Sequence, residues 1–231
     1  MPGSDDLRSG ADRPARLLVV VAHPADADHG LGGSVARWVA EGTSAHLVCC
    51  TSGDATGPDA AADPLELAAR REGEQRAAAA IVGYGEVTFL HRPDGALAND
   101  LALREQLTRL VREFRPDTLA TCDPRVLIHD WGALNHVDHR AAGEAAIDVV
   151  HAGGNAMAFP GLMRSDGLEP HRVRRLLLFS SEHPTHALDV SHHLESKLRA
   201  LQAHAGREDG MADPGPAGLP AREKFALIDL A

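Results

Sequence analysis

The stretch VVVAHPADADHGLGG, residues 19–33, decides how this chain is read. Its first residues belong to LLVVVA (17–22), a continuous apolar run of the kind found in parallel strands covered on both faces. The run ends on His23, Asp26, Asp28 and His29, followed by a cluster of glycines. Open α/β sheets gather their ligands at the carboxyl ends of strands. A histidine and two carboxylates at such an end therefore point to chemistry, and the small Ala25 between them asks for an explanation.

Outward from this strand, the same rhythm repeats. Residues 31–41 carry Val35, Trp38 and Val39 at helical spacing, and HLVCCT (46–51) reads as a second buried strand. Asp63 followed by Pro64 opens a long helix over 64–83. Strands at VTFL (87–90), TLATC (118–122) and LLLFS (176–180) alternate with helices near 99–114, 137–151 and 191–204. Strand alternating with helix predicts a single α/β domain: a Rossmann-like open, mostly parallel sheet with helices on both faces. The polar residues 1–15 are expected to form a mobile tail. The domain proper then covers 16–204, and the Gly- and Pro-rich segment 205–231 is expected to be a tail or arm.

Composition narrows the function. With 231 residues and 44% hydrophobic content the chain can bury one sizeable core. A net charge of −10 and 3% aromatic residues argue against a nucleic-acid surface or a base-stacking platform. Cys49, Cys50 and Cys122 form no CxxC pair and read as buried free thiols. No apolar leader or membrane-length run is visible, so the expectation is a cytoplasmic protein acting on a small molecule, without nucleic-acid or membrane partners.

Among cofactor motifs, the dinucleotide pattern G-x-G-x-x-G fails, because counting from Gly30 puts Val35 in the last place. No GxSxG elbow is present either. A metal reading is stronger. His23 and Asp26 lie three residues apart at a strand end, and His136-Val137-Asp138-His139 begins a second predicted helix. His136 and His139 share one face of its first turn. Two imidazoles and one carboxylate make an open catalytic zinc site, with a position left for water. A plainer reading stands beside it: Asp26, Asp28 and Asp138 would each favour a helix N-terminus. His183, His186, His192 and His193 lack a carboxylate framework and read as surface residues, whereas His29 could face a substrate.

These residues resemble the LmbE-like, or PIG-L, family of zinc-dependent de-N-acetylases, which act on N-acetylglucosamine-containing molecules. The similarity runs from about residue 16 to 204. It is carried by the AHPxD motif (Ala22 to Asp26), Thr51-Ser52-Gly53-Asp54, Arg71-x-x-Glu74, Pro93-Asp94-Gly95 and HxDH (His136 to His139). The resemblance implies that His23, Asp26 and His139 hold Zn2+. It implies that His136 stabilises or protonates the tetrahedral intermediate, with Asp138 holding that imidazole, and that Arg71 and Asp94 face substrate. Zinc would polarise the amide carbonyl and activate water. Runner-up readings are an amidase on a thiol conjugate or antibiotic intermediate, and a non-catalytic zinc-containing binding protein.

One departure matters. The family normally writes AHPDD, and the first Asp is the base that deprotonates the activated water; here that position is Ala25. Losing a positioned general base removes about 10²–10⁴ in rate. Three accounts stay open: an alanine introduced into a working deacetylase, a natural enzyme using Asp28, His29 or His136 instead, or a binding protein. Trp131, just before HxDH, either stacks on a sugar face or covers the core. Specificity is expected from loops 54–66, 123–135 and 153–172. A homo-oligomer is compatible with the last of these, but no residue pattern fixes a number.

Overall fold

The apolar run at the start of the chain is continuous because both of its faces are covered. In the computed structural model, which describes residues 7–55, 61–204 and 218–231, β2 (Arg16–Val21) lies inside an eight-stranded sheet. Leu17, Val19 and Val21 enter one apolar layer, and Leu18, Val20 and Ala22 enter the other. A short β1 (Arg8–Ser9) precedes it at the sheet edge.

The elements that follow are α1 (Asp26–Ala40), β3 (Ser44–Thr51), α2 (Pro64–Val82), β4 (Glu86–Arg92), α3 (Leu101–Phe114) and β5 (Thr118–Cys122). Then come α4 (Val137–Gly154), a short α5 (Pro160–Arg164), β6 (Arg175–Phe179), β7 (His186–Asp189), a 3₁₀ turn at Ser191–His193, α6 (Leu194–Ala203) and β8 (Arg222–Asp229). The strand order is β1-β7-β8-β6-β5-β2-β3-β4. From β6 through β4 the neighbours run parallel, while β8 is antiparallel to both β6 and β7. This is the expected α/β architecture, a mostly parallel sheet with helices on both sides.

Chain direction across the sheet reverses at β2, which leads to β3 on one side and pairs with β5 on the other. The crevice beyond the carboxyl ends of β2 and β5 is thus the switch point where α/β sheets place ligands. Both predicted halves of the site emerge there.

Three sequence expectations change. The helix after β2 begins at Asp26 rather than at 31, so the glycines lie within α1. Gly30 is required there: a Cβ would stand 2.3 Å from the ring of Phe179 on β6. Gly143 does the same for α4, where a Cβ would meet the Cys122 carbonyl at 2.5 Å.

The C-terminal segment is the second change, because 222–229 is not a tail but β8, between β6 and β7. Its Glu223 is 3% exposed and accepts the Gly33 and Ser34 amides of α1 at 3.0 and 2.7 Å. The Lys197 ammonium, also buried, donates to Glu223 and to the His29 carbonyl. A strand near the C-terminus therefore fixes the helix that carries the site. The third change is at the other end, where Arg8–Ser9 of the expected N-terminal tail pairs with β7; residues 1–6, like 205–217 of the Gly/Pro-rich segment, lie outside the described residues.

All three cysteines are buried and free, as expected, and burial pushes the Cys50 thiol up to about 12. Among the described residues no helix is long and apolar enough to cross a membrane.

Candidate metal centre

Two loops build the site. After β2 the backbone turns sharply at Ala25, whose φ of 80° lies in the left-handed region and which serves as the N-cap of α1. A non-glycine residue there carries a strain of about 1–2 kcal/mol, and Asp and Asn adopt the conformation more readily than Ala. The turn is braced from α2. Gln75 accepts the Ala25 amide at 2.7 Å, and the Arg71 guanidinium donates to the Pro24 and Gly53 carbonyls at 3.2 and 2.9 Å. From the other side, the loop after β5 delivers His136 as the N-cap of α4, with Asp138 and His139 in its first turn.

These loops bring His23, Asp26 and His139 together, with one potential donor atom from each within 4.8 Å of the others. His139 Nε2 is 3.3 Å from Asp26 Oδ1, and His23 Nδ1 is 3.6 Å from Asp26 Oδ2. His23 Nε2 faces two further carboxylates, Asp94 Oδ1 at 3.0 Å and Asp138 Oδ2 at 3.2 Å. Asp138 is fully buried and also accepts the Gly95 and Leu97 amides at 2.7 and 3.1 Å. A carboxylate behind a ligand imidazole fixes its tautomer and raises its basicity. A second overlapping grouping, His23, His136 and Asp138, meets the same spacing.

The charges respond to this density. Burial works to neutralise the His23 imidazole, yet hydrogen bonds to Asp138, Asp26 and Asp94 outweigh it and carry the pKa up to about 11. Burial likewise opposes the Asp26 carboxylate, but the neighbouring His139 and His23 hold it well below the usual range. The Asp26 charge raises His139 in turn. Partial burial, then the charge on His23, lower His136. Its Nδ1 accepts the Asp138 amide at 3.3 Å, so the neutral ring carries its proton on Nε2.

Several expected roles move. Asp138 holds His23 through its carboxylate and touches His136 only through its amide. Asp94, expected to grip substrate, has a side chain 6% exposed, and it spends Oδ1 on His23 and Oδ2 on the Ala55 amide. Arg71, expected in the same role, is a brace for backbone carbonyls. Asp28 is fully buried and turned away from the His23–Asp26–His139 cluster, bonded to Gln75 Nε2 and His204 Nε2 at 2.9 Å each. Sealed in this way, Asp28 does not face the cavity, although the sequence offers it as an alternative base.

The open side of the cluster is a cavity of about 550 Å³, lined by Asp26, His136, His139, His29, Trp131 and Leu134 among others. Trp131 is 77% exposed, so it does not cover the core. Sequence reasoning overlooked Gln75, which ties the Ala25 turn to Asp28. Its signal was present: a lone polar residue in the buried stripe of α2 with Leu67, Ala78, Ala79 and Val82.

The mostly parallel sheet thus brings imidazoles and carboxylates together at its switch point, a donor set that could hold a metal ion. Residues 18–150 match the family described as PIG-L, GlcNAc-PI de-N-acetylase, and the chain belongs to that family. The diacetylchitobiose deacetylase of Thermococcus kodakarensis is 30% identical over 82% of this chain and 68% of its own length. The 1D-myo-inositol 2-acetamido-2-deoxy-alpha-D-glucopyranoside deacetylase of Mycobacteroides abscessus is 29% identical over 92% of this chain and 91% of its own. In three dimensions the chain is similar to N,N'-diacetylchitobiose deacetylase from Pyrococcus horikoshii, with a TM-score of 0.81 and 24% identity over 94% of this chain and 84% of that one. That likeness shows the fold. The relatives are named deacetylases, hydrolases that act on amide bonds, and membership places this chain in the same enzyme class.

Proposed function

We propose that this protein removes an N-acyl group, acetyl in the first instance, from a small molecule containing an amino sugar. The observation that carries this reading is the His23–Asp26–His139 cluster opening onto a cavity beside His136. Two imidazoles and one carboxylate suit Zn2+ in an open site. The two carboxylates on His23 Nε2 leave Nδ1 for the ion, so the donor set fits. When bound there, zinc would polarise the scissile carbonyl and lower the pKa of water toward about 7.

The rest is done by the chain itself. Asp138 and Asp94 hold His23 in one orientation, while Gln75 and Arg71 hold the turn that presents Asp26. His136, neutral with its proton on Nε2, faces the cavity as a hydrogen-bond donor to oxygen that becomes negative as the amide is attacked.

At the position where the resemblance expects the general base, this chain carries Ala25. Ala25 is 5% exposed and ends in a methyl group, and Asp28 points away. His29 and His136 remain on the cavity wall. Turnover by this sequence is therefore slow, and Ala25→Asp is expected to raise acetate release from N-acetylglucosamine derivatives by about 10²–10⁴. An Ala25→Asp variant no faster than the parent would overturn the missing-base account.

A further inference from the structure

Loop 123–135 contains a structured tongue. Ile128 and Leu134 form a β-bridge, His129 donates its amide to the Ala133 carbonyl at 2.8 Å, and Gly132 turns the tip with φ of 92°. At that tip the Trp131 ring lies on the His129 imidazole, centroids 5.4 Å apart and planes 14° from parallel. Glu182, from the segment after β6, holds His129 Nδ1 at 2.9 Å and the Asp130 amide at 3.2 Å. One face of the indole is thus backed, and with 77% of the residue exposed the other is open.

The tongue is apolar where a surface loop is ordinarily polar. Leu127, Ile128 and Leu134 are 63%, 60% and 78% exposed. Contiguous exposed apolar side chains mark a binding surface. Trp131 and Leu134 line the same cavity as His136 and His139, which ties this surface to the reaction rather than to a remote contact. The cavity volume of about 550 Å³ falls in the range of roughly 300–1,000 Å³ that houses ligands larger than a single acetamido group. Asp130 at the tip and Glu182 behind it are acidic, and Arg125 of the same loop is engaged by Asp123, so these charges disfavour an anionic ligand.

We infer that the Trp131 tongue is a specificity platform for the part of the substrate beyond the N-acylated sugar, an uncharged apolar ring that stacks on the indole. The preferred substrate is then a glycoside with a flat apolar aglycone, not the free N-acetylated monosaccharide. This inference rests on the amide-hydrolase reading above.

The test uses the zinc-loaded full chain and two probes, the methyl and phenyl β-glycosides of N-acetylglucosamine. Binding is measured by calorimetry and by fluorescence of Trp131, because the other tryptophan, Trp38, is 1% exposed and reports little. The phenyl glycoside is expected to bind at least tenfold more tightly and to perturb Trp131 emission. In Trp131→Ala the ratio of the two affinities should collapse toward one, and Trp131→Phe should restore most of it. An unchanged ratio in Trp131→Ala overturns the platform while leaving the amino-sugar reading intact. Sedimentation showing that Trp131→Ala dissociates a dimer, with that ratio unchanged, assigns the tongue to a second copy and also overturns it. If neither glycoside binds, the amino-sugar reading falls and the platform falls with it.

Discussion

Asp26 and Asp28 are two residues apart in the first turn of α1, yet they belong to different regions of the molecule. Asp26 sits with His23 and His139 in a cluster open to the cavity. Asp28 sits in a sealed cluster with Gln75 and His204, all three no more than 2% exposed. Two residues along a helix rotate a side chain by more than half a turn, enough to send the two carboxylates to opposite sides. Farther along the same helix, Glu223 of β8 and Lys197 of α6 form a second sealed pair against it. Polar groups of the same types thus face a cavity where a ligand can reach them and hold α1 in place where it cannot.

Substitutions should separate the two uses. The largest expected effect is the gain of about 10²–10⁴ in turnover for Ala25→Asp, with little change in the denaturation midpoint, since Asp accepts the left-handed backbone there. Next comes Glu223→Ala in the sealed region, which strips partners from the Gly33 and Ser34 amides and leaves the Lys197 ammonium buried and unpaired. Breaking a buried pair from one side costs about 3–5 kcal/mol, read as a lower urea midpoint, in metal-free and metal-loaded protein alike. Asp138→Asn in the open region should weaken zinc binding by about 10–100-fold, because it removes the carboxylate behind His23. Competition with a chromogenic chelator measures that loss.

The last effect is a pH dependence. In metal-free protein the folded-state pKa of His23 is raised from 6.5 to about 11. A raised pKa stabilises the fold fully below the unfolded value, and this contribution is lost as pH climbs toward the folded one. Metal-free protein should therefore lose stability progressively as pH rises from 6.5 toward about 11 in thermal melts. Zinc-loaded protein should not, because the ion takes the place of that proton. The depressed Asp26 and Asp138 act in the opposite sense, and their contribution disappears only on acidification below the ordinary carboxylate value of 3.8.

Much of the fold was legible because buried parallel strands are written as unbroken apolar runs. Residues 17–22, 46–51 and 118–122 each match a strand within two residues at either end. The start of α1 was hidden by glycines, which lower helix propensity but are needed under Phe179 and Val190. β8 was hidden because only a short apolar stretch around Phe225 stands among charges, and its place in the sheet depends on partners far away in sequence. At the site, the sequence supplied the residue set that the fold brings together. It did not supply the pairing of Asp138 with His23 or the bracing role of Arg71. Those contacts join residues 115 and 47 positions apart and exist only once the sheet has formed.

The central claim is that the open cluster holds one divalent ion. Elemental analysis of the full chain after zinc reconstitution and desalting tests it directly, with His139→Ala beside it. The account predicts one zinc per chain in the parent and loss of that zinc in the variant. A folded parent that retains no zinc, or a variant that retains as much as the parent, would contradict it.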